Sequence, residues 1–125
     1  PIISLIHPTS VVSKYSSIEL GSVVMANAVI NPFSNIGLAC IINTSATIDH
    51  DCQLSEAVHV SPGVNLAGSV KVKECTWIGI GSSVNQCLSI GKNVIIGAGS
   101  VVINDIPDNV TSVGIPSKVI KGSKC

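Results

Sequence analysis

Every sixth residue from Ile6 is aliphatic: Ile6, Val12, Ile18, Val24, Ile30, Ile36, Ile42, Ile48, Leu54, Val60, Leu66, Val72, Ile78, Val84, Ile90, Ile96 and Val102. The run is seventeen positions long without a slip, although Ile, Leu and Val supply only 41 of the 125 residues. Chance does not produce it. Four residues after each aliphatic lies a second column, mostly small: Ser10, Ser16, Ser22, Ala28, Ser34, Cys40, Ala46, Cys52, Val58 and onward, with only Leu88 and Ile106 larger than valine. A period of six suits neither a 3.6-residue helix nor plain strand alternation. It suits a short strand followed by a turn, with the small residue, its successor and the next aliphatic pointing in, out and in.

The remaining positions turn a corner. The fourth residue of the hexad is Gly21, Asn27, Asp51, Gly63, Gly81, Asn93, Gly99 and Asp105 at eight of its occurrences, types that tolerate the positive φ of a sharp corner. Three hexads make a triangular coil of about eighteen residues, each stacked on the last at the inter-strand spacing of ~4.8 Å. The expected fold is all-β, a parallel β-helix of nearly six coils over about 6–106 with both columns buried. A C-terminal segment, 107–125, completes a single domain.

Composition agrees with a narrow, repetitive interior: 46% hydrophobic but only 2% aromatic residues. Net charge is zero with both signs scattered, which gives no footprint for nucleic acid or an anionic membrane. No apolar run approaches the ~20 residues of a membrane span, so no membrane insertion is expected. Cys40, Cys52, Cys75, Cys87 and Cys125 form an odd set without a C-x-x-C pair. That favours reduced thiols and a cytoplasmic location over a disulfide framework or a zinc site.

The hexads Ile78-Gly79, Ile90-Gly91 and Ile96-Gly97 fit [LIV]-G-x-x-[small]-x, and the chain resembles the hexapeptide-repeat acyltransferases. That resemblance implies a left-handed β-helix, an exception to the right-handed crossover rule, and a homotrimer. A second stretch, Asn43-Thr44-Ser45-Ala46-Thr47-Ile48-Asp49-His50-Asp51-Cys52 followed by His59, is similar to the sugar acetyltransferases of bacterial surface-glycan synthesis. These are the UDP-4-amino-sugar N-acetyltransferases and the sialic acid O-acetyltransferases. The closing Val113-Gly114-Ile115-Pro116-Ser117-Lys118 resembles the family's V-x-G-x-P-A-K, with Ser117 in place of alanine.

The resemblance implies acetyl-CoA as co-substrate, no metal, and a sugar or nucleotide-sugar acceptor. It makes His50 the general base and Asp51 the acid that orients it. The chemistry suits the residue type: acetyl transfer from a thioester needs a proton taken from the attacking amine or hydroxyl, and neutral imidazole does this near pH 7. Gly68 falls one coil above His50, where its N–H would meet the thioester oxygen. Asn43, His59, Ile80, Ala98 and Lys118 are implied acetyl-CoA contacts, with Lys121 and Lys124 as further cations for its phosphates. Trp77, one coil above His59, reads as a subunit contact. His50 and Gly68 share one corner while Asn43 and His59 belong to another, so one site needs two chains.

Two other readings remain. A γ-carbonic-anhydrase-like enzyme would hold zinc on three histidines, but His7, His50 and His59 lack the close pair. A non-catalytic scaffold or ice-binding prism would show flat rows of threonine, whereas Val11, Ser17, Val23, Val29, Asn35, Ile41 and Thr47 are mixed. The chain begins at Pro1, as a fragment would. The nucleotide-sugar-binding domain that precedes the β-helix in the family is not among its residues.

Overall fold

The computed structural model describes residues 2–122; Lys124 and Cys125 lie outside them. Each hexad from Leu5–Ile6 to Val101–Val102 contributes one two-residue strand, and every third strand joins the same parallel sheet. The first face holds Leu5–Ile6, Val23–Val24, Ile41–Ile42, His59–Val60, Trp77–Ile78 and Ile95–Ile96. The second runs from Val11–Val12 to Val101–Val102, and the third from Ser17–Ile18 to Ser89–Ile90. Partners are eighteen residues apart, as in His59↔Trp77 and Thr47↔Asn65. The expected parallel β-helix is the fold found.

The aliphatic column from Val24 to Val102 is buried. Each side chain there contributes roughly 1.5–3 kcal/mol of burial. The small column sits between these side chains: Ser22, Ala28, Ser34, Cys40, Ala46 and Cys52 are fully enclosed. Its polar members bond to backbone, as Ser34 Oγ does on Asp49 O at 2.5 Å and Thr76 Oγ1 on Gly91 O at 2.6 Å. The thiols of Cys40 and Cys52 are pushed above their usual pKa by burial.

Every fourth hexad position from Gly21 to Gly99 adopts positive φ. The geometry of the corner imposes this even on Phe33, Ala39, Ser45, Ala57, Ser69, Cys75 and Cys87, which carry no composition signal for it. The return is a backbone bond between coils: the N–H at this position reaches a corner carbonyl of the preceding coil, as Ala57 N on Leu38 O (2.8 Å) and Ser69 N on His50 O (2.9 Å) show.

Both ends depart from the expected pattern. Ile6 is 50% exposed, and Val12, Ile18, Ser10 and Ser16 are not buried, because among the described residues the first coil has a neighbouring coil on one side only. At the other end the frame slips. Ile106 pairs with Ile90, and Thr111 and Ser112 pair with Ile95 and Ile96, so the last coil is shorter than eighteen residues. Ile106 therefore belongs to the large aliphatic column, which explains why it was too large for the small one. Asp105 is not a positive-φ corner; its Oδ1 accepts the Ser89 N–H at 2.8 Å. The strand Val110–Val113 then extends the first face and pairs antiparallel with Lys118–Gly122.

The outward rows of the faces differ in chemistry. The third face carries an amide ladder, Ser17 to Asn35 (2.6 Å) and Asn35 to Gln53 (3.0 Å). The first face presents Leu5, Val23, Ile41, His59, Trp77 and Ile95, with Trp77 53% and Ile95 48% exposed. A polar ladder suits water; an apolar row of this length asks for cover.

Candidate active site

The corner between the second and third faces carries Asp49, His50 and Asp51. Asp51 takes the left-handed turn at φ 58°, which brings its carboxylate back to the preceding side chain. His50 Nδ1 and Asp51 Oδ2 are 2.9 Å apart, and both side chains are more than half exposed. With the ring neutral, that bond places the proton on Nδ1 and leaves Nε2 as a lone-pair acceptor.

The backbone of the corner is held on both sides. Asp49 Oδ1 accepts the His50 N–H at 2.8 Å and the Asn31 Nδ2–H at 3.1 Å. These two bonds, the backbone one first, hold the Asp49 carboxyl below its usual pKa. The His50 carbonyl accepts from Ser69 N. Asp49 and Asn31 were not singled out in the sequence, although their eighteen-residue spacing was the available signal.

Gly68 lies directly against the imidazole. A Cβ on Gly68 would sit 2.6 Å from His50 Nε2 and 2.7 Å from Cε1, closer than any real contact. Only glycine leaves the ring in this place, and among the described residues the Gly68 N–H has no acceptor in the chain. The structure thus brings His50, Asp51 and Gly68 together.

Asn43, His59, Ile80 and Ala98 gather elsewhere, where the first face turns toward the second. Asn43 Nδ2 is 3.3 Å from His59 Nε2. The His59 ring packs on Trp77 at 4.4 Å between centroids, and burial lowers its pKa, so it is neutral at pH 7. His59, Trp77, Ile80, Ile95 and Ala98 line an almost wholly apolar groove of about 400 Å³. Trp77, read as a subunit contact, is part of this groove.

Its floor was missed in the sequence: Ser61, Gly79 and Gly97, one per coil. A Cβ at Gly79 would meet the Ala98 N and Ile96 O at 2.7 Å, so the neighbouring coils pass too close there for any side chain. Lys118 is exposed at the far end of the same face, paired with Val113. Among the described residues no three His, Cys, Asp or Glu side chains group as metal ligands. No helix among them is long and apolar enough to cross a membrane.

No protein-family model matches the chain. The acetyltransferase domain of PglB from Neisseria gonorrhoeae FA1090, solved with acetyl coenzyme A, superimposes with TM-score 0.94 at 44% identity, over 95% of this chain and 58% of that one. A variant of perosamine N-acetyltransferase from Caulobacter crescentus, in complex with CoA and GDP-perosamine, gives TM-score 0.93 at 42% identity, over 95% and 57%. Galactoside O-acetyltransferase of Escherichia coli (strain K12) is 49% identical over 45 residues, 36% of this chain and 22% of its own length. The chain thus spans less than three fifths of these solved neighbours, and its alignment with the enterobacterial enzyme covers about a fifth of that protein.

Proposed function

We propose, from a chain that carries the left-handed hexapeptide-repeat β-helix found in acetyltransferases, that it moves the acetyl group of acetyl-CoA onto an amino or hydroxyl group of a sugar or nucleotide-sugar. Surface-glycan synthesis is the setting this chemistry serves. The observation that carries the reading is the His50–Gly68 juxtaposition: an imidazole whose Nδ1 is held by Asp51, set against a backbone N–H that has no acceptor among the described residues. The acceptor nitrogen or oxygen attacks the thioester carbon while His50 Nε2 takes its proton. Asp51 holds the tautomer and stabilises the imidazolium that forms. The Gly68 N–H faces the oxyanion of the tetrahedral intermediate, which collapses to the acetylated acceptor and CoA thiolate. The thiolate then takes the proton back from the imidazolium.

The coenzyme's pantetheine arm suits the apolar groove of His59, Trp77, Ile80 and Ala98, with Lys118 beyond it for phosphate. Because this groove and the His50 corner occupy different edges of the prism, the reading joins one chain's His50 to a neighbour's groove. A cyclic homotrimer supplies three such junctions, and the apolar outward row of the first face is the surface available for it. A CoA-release assay against UDP- and GDP-linked 4-amino sugars and sialic acids tests the proposal. Release that depends on one of these acceptors supports it; none with the whole panel contradicts it.

A further inference from the structure

The apolar groove holds one hydroxyl that the fold leaves unused. The buried serines Ser22, Ser34, Ser82 and Ser100 each donate their hydroxyl to a backbone carbonyl, and Ser112 shares a hydrogen bond with Ser117. Ser61 is enclosed almost as fully, at 2% exposed, yet its hydroxyl has no partner among the described residues. Every wholly enclosed side-chain nitrogen or oxygen among them does have one, so the Ser61 oxygen opens on the groove that the residue lines. A hydroxyl taken out of water without a hydrogen bond is unfavourable, and an occupant of the groove that brings an acceptor removes that defect.

The place of Ser61 along the prism says which part of the occupant it meets. Ser61 follows Asn43 by a full coil, and Gly79 and Gly97 hold the same hexad position in the next two coils. The groove thus has a polar end at Asn43, His59 and Ser61, with Lys118 toward the opposite end of the face. A coenzyme whose phosphates meet Lys118 points its acyl end at Ser61. Height gives the same answer. Ser61 and Gly68 are seven residues apart, which at ~4.8 Å for each eighteen-residue coil is a rise of about 2 Å. Rotation about an axis parallel to the prism leaves heights unchanged. A neighbouring chain's Gly68 N–H therefore stands level with this hydroxyl, as its His50 stands level with Asn43.

We infer that the Ser61 hydroxyl is a second hydrogen-bond donor to the thioester oxygen of acetyl-CoA, set opposite the neighbouring chain's Gly68 N–H. The inference rests on the acetyl-transfer reading above, with its two-chain site, and deepens it by naming a further catalytic residue. As the acceptor adds to the thioester carbon, negative charge gathers on that oxygen. The Ser61 O–H and the Gly68 N–H then donate to it from the two sides of the junction. The apolar lining of Trp77, Ile80 and Ile95 lowers the local dielectric, which strengthens both bonds.

The test is calorimetric titration of the wild type and of Ser61→Ala with CoA and with carboxymethyl-CoA, whose carboxylate stands in for the charged oxygen of the intermediate. CoA carries no acyl oxygen, so its affinity should be unchanged in the variant. Carboxymethyl-CoA should bind the variant about tenfold more weakly. With an acceptor found by the CoA-release assay, kcat of Ser61→Ala should fall about 10²-fold. The variant should melt at or above the wild-type temperature, because the hydroxyl makes no bond within the fold. Unchanged affinity for carboxymethyl-CoA overturns the inference. Equal weakening of both ligands assigns the hydroxyl to the coenzyme's arm and overturns it too, as does a melting temperature lowered by several degrees. Each of these leaves the acetyl-transfer reading standing where the wild type binds CoA; a wild type that binds neither ligand sinks that reading along with the inference.

Discussion

The His50 imidazole fills the space, across one coil of the prism, that a Cβ on Gly68 would need: such a carbon would lie 2.6 Å from Nε2. The imidazole is exposed and hinged at its own side-chain bonds, so an added Cβ turns the ring without disturbing the coils. Gly68→Ala is therefore expected to fold and melt like the wild type while losing about 10²-fold in kcat, the scale of a displacement near 1 Å at a reacting group. Thermal melting and steady-state CoA release check the two halves separately.

Gly79→Ala should behave in the opposite way. Its added carbon would meet the Ala98 N and Ile96 O, both backbone atoms, at 2.7 Å. Backbone locked in a sheet does not turn aside, so a loss of about 1–3 kcal/mol is expected. Denaturant unfolding should show it, together with a weaker acetyl-CoA KM as the groove closes.

The central aliphatic column was legible because a period of six leaves no freedom in which face each residue takes. What escaped the reading depends on neighbours in space. Burial of Ile6, Val12 and Ile18 needs a coil on both sides, and among the described residues they have one. Ile106 looked like an oversized member of the small column because a fixed frame hides a shortened last coil. Phe33 and Cys87 take left-handed corners that their residue types do not announce. At the site, His50, Asp51 and Gly68 were read from the local motif and the eighteen-residue stack. The groove floor at Ser61, Gly79 and Gly97, and the Asp49–Asn31 bond, appear only when residues a coil apart are compared.

Burial lowers the pKa of His59 from its ordinary value of 6.5, so its neutral form stabilises the fold. That contribution is complete above pH 6.5. It falls away as the pH drops below 6.5 toward the lower folded value, because the unfolded chain takes up the proton first. Melting temperatures from pH 8 to pH 5 should decline more steeply for the wild type than for His59→Gln. Parallel curves would place His59 in water rather than in the groove.

If each site joins two chains, inactive variants should complement one another. His50→Ala and His59→Ala, each verified inactive, are mixed one to one and allowed to exchange subunits. In a cyclic trimer each junction then has about one chance in four of receiving both intact histidines, so about a quarter of wild-type activity should return. No recovery after verified exchange would confine the site to one chain.

The most direct measurement is kcat for CoA release by His50→Ala, taken beside its acetyl-CoA affinity from calorimetry. Loss of a general base with the groove intact predicts a fall of ~10²–10⁴ in kcat and an acetyl-CoA Kd close to the wild type, with Asp51→Asn falling less. A His50→Ala protein that releases CoA to its acceptor at the wild-type rate would contradict the account.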